Sequence, residues 1–172
     1  MNLYLIGYRC AGKTTVGKAL AERLGWPLVD TDRCITDTAG VSIAQMVNEN
    51  GWPYFREQER QALKTVSNKD CQIVATGGGI ILANRNIETM KKSGTVVWLT
   101  ATEQTIQARL LPDDATTGNR PSLTGQGLID EIGSVLTERK PLYEKAADFT
   151  IETDGASISA ICDQIAAILA KH

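Results

Sequence analysis

The chain has 172 residues, 42% of them hydrophobic, with 18 Lys and Arg against 20 Asp and Glu and a formal charge of −2. That length makes about one domain, able to bury roughly two-thirds of its unfolded surface without disulfide or metal staples. The balanced charge excludes a global basic field for nucleic acid and no stretch is apolar enough to span a bilayer, so any bound anion must be held by a local cluster.

In chain order, the apolar run Leu3 to Ile6 reads as a first strand, and Gly7-Tyr8-Arg9-Cys10-Ala11-Gly12-Lys13-Thr14 follows it, fitting G-x-x-x-x-G-K-[ST]. After Thr15, the residues Val16, Ala19, Leu20 and Leu24 mark one buried face of a helix over 13–24. Strand, glycine-permitted turn and helix N-terminus together make a phosphate cradle, with the backbone N–H groups of Cys10 to Thr15 around the anion. Lys13 then reaches the β- and γ-phosphates, and the Thr14 hydroxyl ligates Mg²⁺.

A second strand over 28–30 leads into Asp30-Thr31-Asp32. If the segment stays extended, the two carboxylates share one side of it. Asp30 is then the Mg²⁺ partner of Thr14, and Asp32 faces the acceptor hydroxyl; the alternative is that Asp32 caps the next helix. Helical periods are expected over 42–50 and 53–66, with Ser42 at an N-cap and Gly25, Gly40, Gly51 and Gly94 closing helices. Within Gly51-Trp52-Pro53-Tyr54-Phe55-Arg56, the Arg56 guanidinium suits bidentate recognition of carboxylate or phosphate, and Glu59 lies on the same helical face. A solvated face is the plainer reading of that arginine.

A third strand over 73–76 ends in Gly77-Gly78-Gly79, where bare backbone allows close approach to an oxygen; a flexible turn is the alternative. Further helices are expected over 84–92, 102–110, 128–145 and 157–170, and further strands over 95–100 and 149–152. Between two helical runs, the stretch from Pro112 to Pro121 has no apolar period and reads as a lid. From it Arg120, and from the preceding helix Arg109, are placed to reach nucleotide phosphates and base. Arg139, late in its helix, is not distinguishable from a surface charge by these rules.

Alternating strands and helices mean a parallel sheet covered on both faces, with the ligand across the carboxyl ends of the strands. Cys10, Cys34, Cys71 and Cys162 form no C-x-x-C and read as reduced thiols, and Met1-Asn2 enter the first strand with no leader-like segment, so a soluble cytoplasmic protein is expected.

Taken jointly, GYRCAGKTT, VDTD, GWPYFREQE, ATGGG, NRPSLTG and ERKPLY resemble shikimate kinase over most of the chain and in order. The resemblance implies an α/β three-layer α/β/α phosphate-loop kinase fold of the nucleoside-monophosphate-kinase type, about five parallel strands in the order 2-3-1-4-5. It implies one domain over 1–172 with a lid at about 111–125 and a substrate-binding helical segment at about 32–62. The implied activity is ATP-dependent phosphorylation of the shikimate 3-hydroxyl, on the way to chorismate, by a monomer whose partners are small molecules. By the same resemblance Lys13 and Arg120 match phosphate ligands and Thr14 and Asp30 the Mg²⁺ site. Asp32 matches the acceptor contact and possible base, Arg56 and Arg139 a carboxylate clamp, and Gly77 to Gly79 backbone contacts to shikimate. One departure is Cys10-Ala11, where the family more often has Gly then Ser or Cys. Ala11 takes φ > 0 less readily than glycine, which predicts a weaker grip on ATP.

Two rivals are weighed. Asp37-Thr38-Ala39-Gly40 spells the D-x-x-G of a guanine-nucleotide switch protein, but the residues before it are polar rather than a strand, and Asn68-Lys69-Asp70-Cys71 misses the second switch motif. Another small-molecule or nucleotide kinase on the same fold differs only in what Arg56 and Arg139 clamp. His172, the sole histidine, stands at the end of the sequence, which argues against histidine acid–base or metal chemistry.

Overall fold

A computed structural model describes residues 1–111, 122–124, 127 and 129–171. Strands β1 (Asn2–Ile6), β2 (Leu28–Asp30), β3 (Ile73–Ala75), β4 (Gly94–Thr100) and β5 (Phe149–Glu152) form one parallel sheet in the order β2-β3-β1-β4-β5. The helices are α1 (Lys13–Leu24), α2 (Thr31–Ala39), α3 (Ile43–Ser67), α4 (Asn84–Ser93), α5 (Glu103–Leu110), α6 (Ile132–Ala146) and α7 (Ile158–Leu169).

The period of two along β1 sorts its side chains between two cores. Leu3 and Leu5 pack with Val16 and Leu20 of α1 and Ile161 and Ile165 of α7. Tyr4 and Ile6 pack on the other face with Leu63 of α3, Met90 of α4 and Tyr143 of α6. Both faces being covered, the central strand must be apolar throughout, which is why Leu3 to Ile6 shows no alternation. Each such buried aliphatic side chain is worth about 1.5–3 kcal/mol relative to exposure. The layers and strand order are those expected from the sequence.

Several local expectations are corrected. The segment after β2 does not stay extended: α2 begins at Thr31, so Asp32 lies in the first turn of a helix. Asp30 is the cap, its Oδ1 accepting from the backbone N–H groups of Asp32 at 3.1 Å and Arg33 at 3.3 Å, so Asp32 does not cap the helix either. The polar run Thr31 to Thr36 hid α2, whose buried face consists of Thr31, Asp32 and Ile35. The two helices expected over 42–50 and 53–66 are the two limbs of α3, broken at Gly51 with φ 79 and ψ 168. Gly94 does not close α4 in a left-handed turn; it opens β4 in extended backbone, where a Cβ would overlap the Asn2 carbonyl. The helix expected from Leu128 begins at Ile132, after a turn over 129–131.

Ser42 and Thr102 do cap their helices, accepting from Gln45 N at 3.1 Å and Thr105 N at 3.3 Å. The four cysteines are free thiols. Among the described residues no helix is long and apolar enough to cross a membrane.

Candidate active site

The carboxyl end of β1 turns into the phosphate loop because Gly12, the residue before α1, takes φ 98, a conformation that side chains resist. Val16 N donates to Gly12 O at 2.8 Å, so the helix starts directly from the loop. Two other loop residues have positive φ: Gly7, φ 145, where a Cβ would stand 2.5 Å from Leu99 O, and the non-glycine Cys10, φ 60. The strain expected at Ala11 therefore falls one residue earlier: Ala11 is buried in the α1 core, and the Cβ penalty is carried by Cys10.

Lys13 reaches back over the loop, its Nζ donating to the carbonyls of Gly7 and Tyr8 at 2.8 Å each. Thr14 Oγ1 donates to Asp30 Oδ2 at 3.1 Å. One carboxylate thus links the nucleotide helix to the cap of α2. A hydroxyl and a carboxylate oxygen at this separation fit two neighbouring corners of an octahedral Mg²⁺ shell. No group of three or more His, Cys, Asp or Glu able to hold a metal occurs among the described residues, so a cation here would complete its shell with phosphate oxygens and water.

Beside the loop lies a cleft with about 830 Å³ of empty space, lined by Cys10, Ala11, Gly12, Thr15 and Val16 together with Arg109, Thr153, Ala156, Ile158 and Ile161. Arg109 is fastened there: Nη1 donates to Cys10 O and Thr153 Oγ1 and Nη2 to Thr153 O, all at 3.1 Å. Thr153 and Ala156, from the turn after β5, carried no motif.

A second cleft, with about 440 Å³ of empty space, gathers Asp32 of α2, Arg56 and Glu59 of α3, Gly77 to Gly79 after β3, and Arg139 of α6. Tyr8, Arg9, Ile43, Trp52, Phe55 and Leu123 complete its wall. Arg139 is 8% exposed and donates to Gly78 O at 3.3 Å, so it is no surface charge. Tyr143 donates to the same carbonyl at 2.6 Å and stacks on Trp98. Burial pushes the Tyr143 hydroxyl well above its usual range, leaving it a neutral donor.

Arg56 is held on three sides. It pairs with Glu59, and its guanidinium lies 5.0 Å from the Trp52 ring centre and 5.3 Å from that of Phe55. Glu59 is 1% exposed; burial pushes its carboxyl up to about 7, against the pull of Arg56. Two of these glycines bring backbone close to the site's side chains: a Cβ on Gly77 would stand 2.6 Å from both Asp32 Oδ1 and Glu59 Oε1, and one on Gly79 would displace the Arg56 guanidinium. Gly77 N donates to Thr31 Oγ1 at 3.0 Å, which ties this loop to the start of α2.

Lys13, Asp32, Arg56, Gly77 to Gly79 and Arg139 are therefore brought together at the carboxyl edge of the sheet. Arg120 and most of the stretch read as a lid lie outside the described residues. Arg9 and Tyr8, inside the motif itself, were passed over because the motif leaves those positions open. Yet Arg9 is only 7% exposed.

Comparison with known proteins adds to this geometry. A family model described as shikimate kinase matches residues 9–170. The shikimate kinase of Nitratidesulfovibrio vulgaris is 42% identical over 169 residues, covering 98% of this chain and 95% of its own. That of Rhodopirellula baltica is 42% identical, covering 95% and 88%. Among solved structures, a shikimate kinase from Acinetobacter baumannii in complex with shikimate superposes with a TM-score of 0.90 at 33% identity, covering 99% of this chain and 93% of that one. A gluconokinase from Sinorhizobium meliloti, 13% identical with a TM-score of 0.57, shares the fold alone.

Proposed function

This chain belongs to the shikimate kinase family, and from that premise we propose that it transfers the γ-phosphoryl group of ATP to the 3-hydroxyl of shikimate, giving shikimate 3-phosphate and ADP on the route to chorismate and the aromatic amino acids. The observation that carries this reading is one cleft in which two buried or braced arginines, Arg56 and Arg139, face an acid, Asp32, across Gly77 to Gly79, beside the phosphate loop. A polyhydroxylated carboxylic acid suits that chemistry: guanidinium forks for its carboxylate, and a carboxylate and bare backbone for its hydroxyls.

In the mechanism that follows, ATP lies with its phosphates in the loop and its base in the cleft against Arg109. On binding, Lys13 exchanges the carbonyls of Gly7 and Tyr8 for β- and γ-phosphate oxygens. Thr14 and, directly or through water, Asp30 would hold Mg²⁺, which would neutralise negative charge on the nucleotide's phosphates. Arg56 and Arg139 fix the acceptor carboxylate, which leaves the 3-hydroxyl turned toward Asp32. Asp32 orients that hydroxyl and accepts its proton late, because a loose transition state asks little of the base. Arg120, from the lid at 111–125, is the cation expected on the transferring group. Catalysis comes chiefly from positioning and charge. We read the whole chain as one cytoplasmic, monomeric domain, with the helical segment at about 32–62, α2 and both limbs of α3 as far as the turn beyond Glu59, as its acceptor-binding segment.

The test is ADP release with Mg²⁺ and ATP across shikimate, quinate, gluconate and nucleoside monophosphates. Shikimate should give the highest kcat/KM; a nucleoside monophosphate or gluconate turning over faster would overturn the assignment in favour of another kinase on this fold.

A further inference from the structure

Glu131, in the turn before α6, is a carboxylate with no exposed surface and belongs to none of the groups above. A buried charge is expensive unless its oxygens are matched, so its partners indicate what it does. One oxygen, Oε2, gathers four donors: Ser122 Oγ at 2.7 Å, Leu123 N at 2.7 Å, Thr124 N at 2.9 Å and Thr124 Oγ1 at 3.2 Å. The other, Oε1, accepts no hydrogen bond and faces the Arg9 guanidinium at 3.8 Å. Glu131 O accepts from Val135 N at 3.0 Å, so the same residue is fixed to the start of α6. Leu123 and Arg9 both stand in the wall of the acceptor cleft, one from the segment after 121 and one from the phosphate loop.

We propose that Glu131 is a positioning residue for the acceptor: its carboxylate ties Leu123 and Arg9, two wall elements remote in sequence, to the base of α6, and so sets the shape and charge of the cleft on the side away from Arg56. A pair of apolar residues would hold the backbone as well, but would remove the carboxylate that faces the Arg9 guanidinium. Burial pushes the Glu131 carboxyl up, and the donors on Ser122, Thr124 and Leu123 with the charge of Arg9 pull it below its ordinary value, so it works as an anion at neutral pH.

The inference rests on shikimate as acceptor, and its test keeps the two apart. Glu131→Gln preserves size and one acceptor oxygen but removes the charge facing Arg9. By calorimetric titration of the whole protein, it should bind shikimate about tenfold more weakly, with ADP affinity within about twofold of the parent. At saturating shikimate its kcat should fall less than about threefold, which makes this a KM effect. Arg9→Gln should weaken shikimate by a similar factor, and the double variant should be no weaker than Arg9→Gln alone, because both remove one coupled element. Parent-like shikimate affinity in Glu131→Gln, additive losses in the double variant, or equal losses for ADP and shikimate would each overturn the proposal. Should Glu131→Gln fail to fold, Ser122→Ala removes one donor at a partly exposed site. It should weaken shikimate by about threefold with ADP unchanged, and no change would count against the clasp. If the parent itself does not bind shikimate, the substrate reading fails, and the same cycle is run with the acceptor it does turn over.

Discussion

The nucleotide side and the acceptor side of this molecule are built on opposite principles. On the proposed nucleotide side, one contiguous string, Gly7 to Thr15, is the backbone cradle, with a few side chains such as Asp30 and Arg109 fastened to it from elsewhere. On the proposed acceptor side, side chains converge from α2, α3, α6 and the phosphate loop, and each arginine is braced: Arg56 by Glu59, Arg139 by the Gly78 carbonyl, Arg9 by Glu131. A site made of backbone fails all at once when its central cation is lost. One made of mutually braced side chains should lose affinity in steps while the other side keeps working.

Lys13→Ala should give the largest effect. Turnover should drop by at least about a thousandfold, because the charge on the transferring phosphoryl group is left uncompensated, while the circular dichroism spectrum stays that of the parent. A folded variant that retains activity would break the contrast on the nucleotide side. Arg139→Lys comes next: the charge remains but the planar fork is lost, so shikimate affinity should fall about ten- to a hundredfold with ADP binding unmoved, as read by calorimetry. Parent-like affinity would make Arg139 a mere support for Gly78.

Gly79→Ala sharpens the comparison further. The added methyl must displace the far end of Arg56 rather than any backbone, so the fold should survive while shikimate binding weakens about tenfold. An unchanged dissociation constant would show that the guanidinium works equally well from its displaced position.

A pH slope tests the bracing through stability rather than affinity. Glu59 has a folded pKa of about 7, above the ordinary carboxylate value, so the folded state holds a proton that the unfolded state releases. The stability this lends is fully present below about pH 4.5 and is lost as pH rises through 7. Urea unfolding of the parent should therefore show stability declining over that window by on the order of 3 kcal/mol at most, and Glu59→Gln should flatten the decline. An identical slope in both proteins would mean that Arg56 keeps Glu59 ionised throughout.

The same contrast explains what could be read from the residues alone. Local and contiguous features were legible: the cradle, the caps at Ser42 and Thr102, and the strand order once the family motifs were in view. The start of α2 was missed because Asp30, read as a metal ligand, carries no local sign that its carboxylate also caps a helix. Arg139 was placed by the family resemblance alone, because a charge four residues before a tyrosine on a helix looks the same whether it faces water or a glycine carbonyl. Arg9 and Glu131 carry no local signal at all, since their relation exists only after the sheet has brought the ends of β1 and α6 together.

Strand order has a temporal side as well. β1 is made first but lies in the middle of the sheet, with Leu3 beside Ile73 on one flank and Thr95 on the other. At roughly 5–20 residues per second on the ribosome, Leu3-Tyr4-Leu5-Ile6 waits on the order of 5–20 seconds for its second neighbour to be synthesised. Until Ile73 is made, Leu3-Tyr4-Leu5-Ile6 has neither flanking strand, and it is then that a nascent-chain chaperone would have most to do.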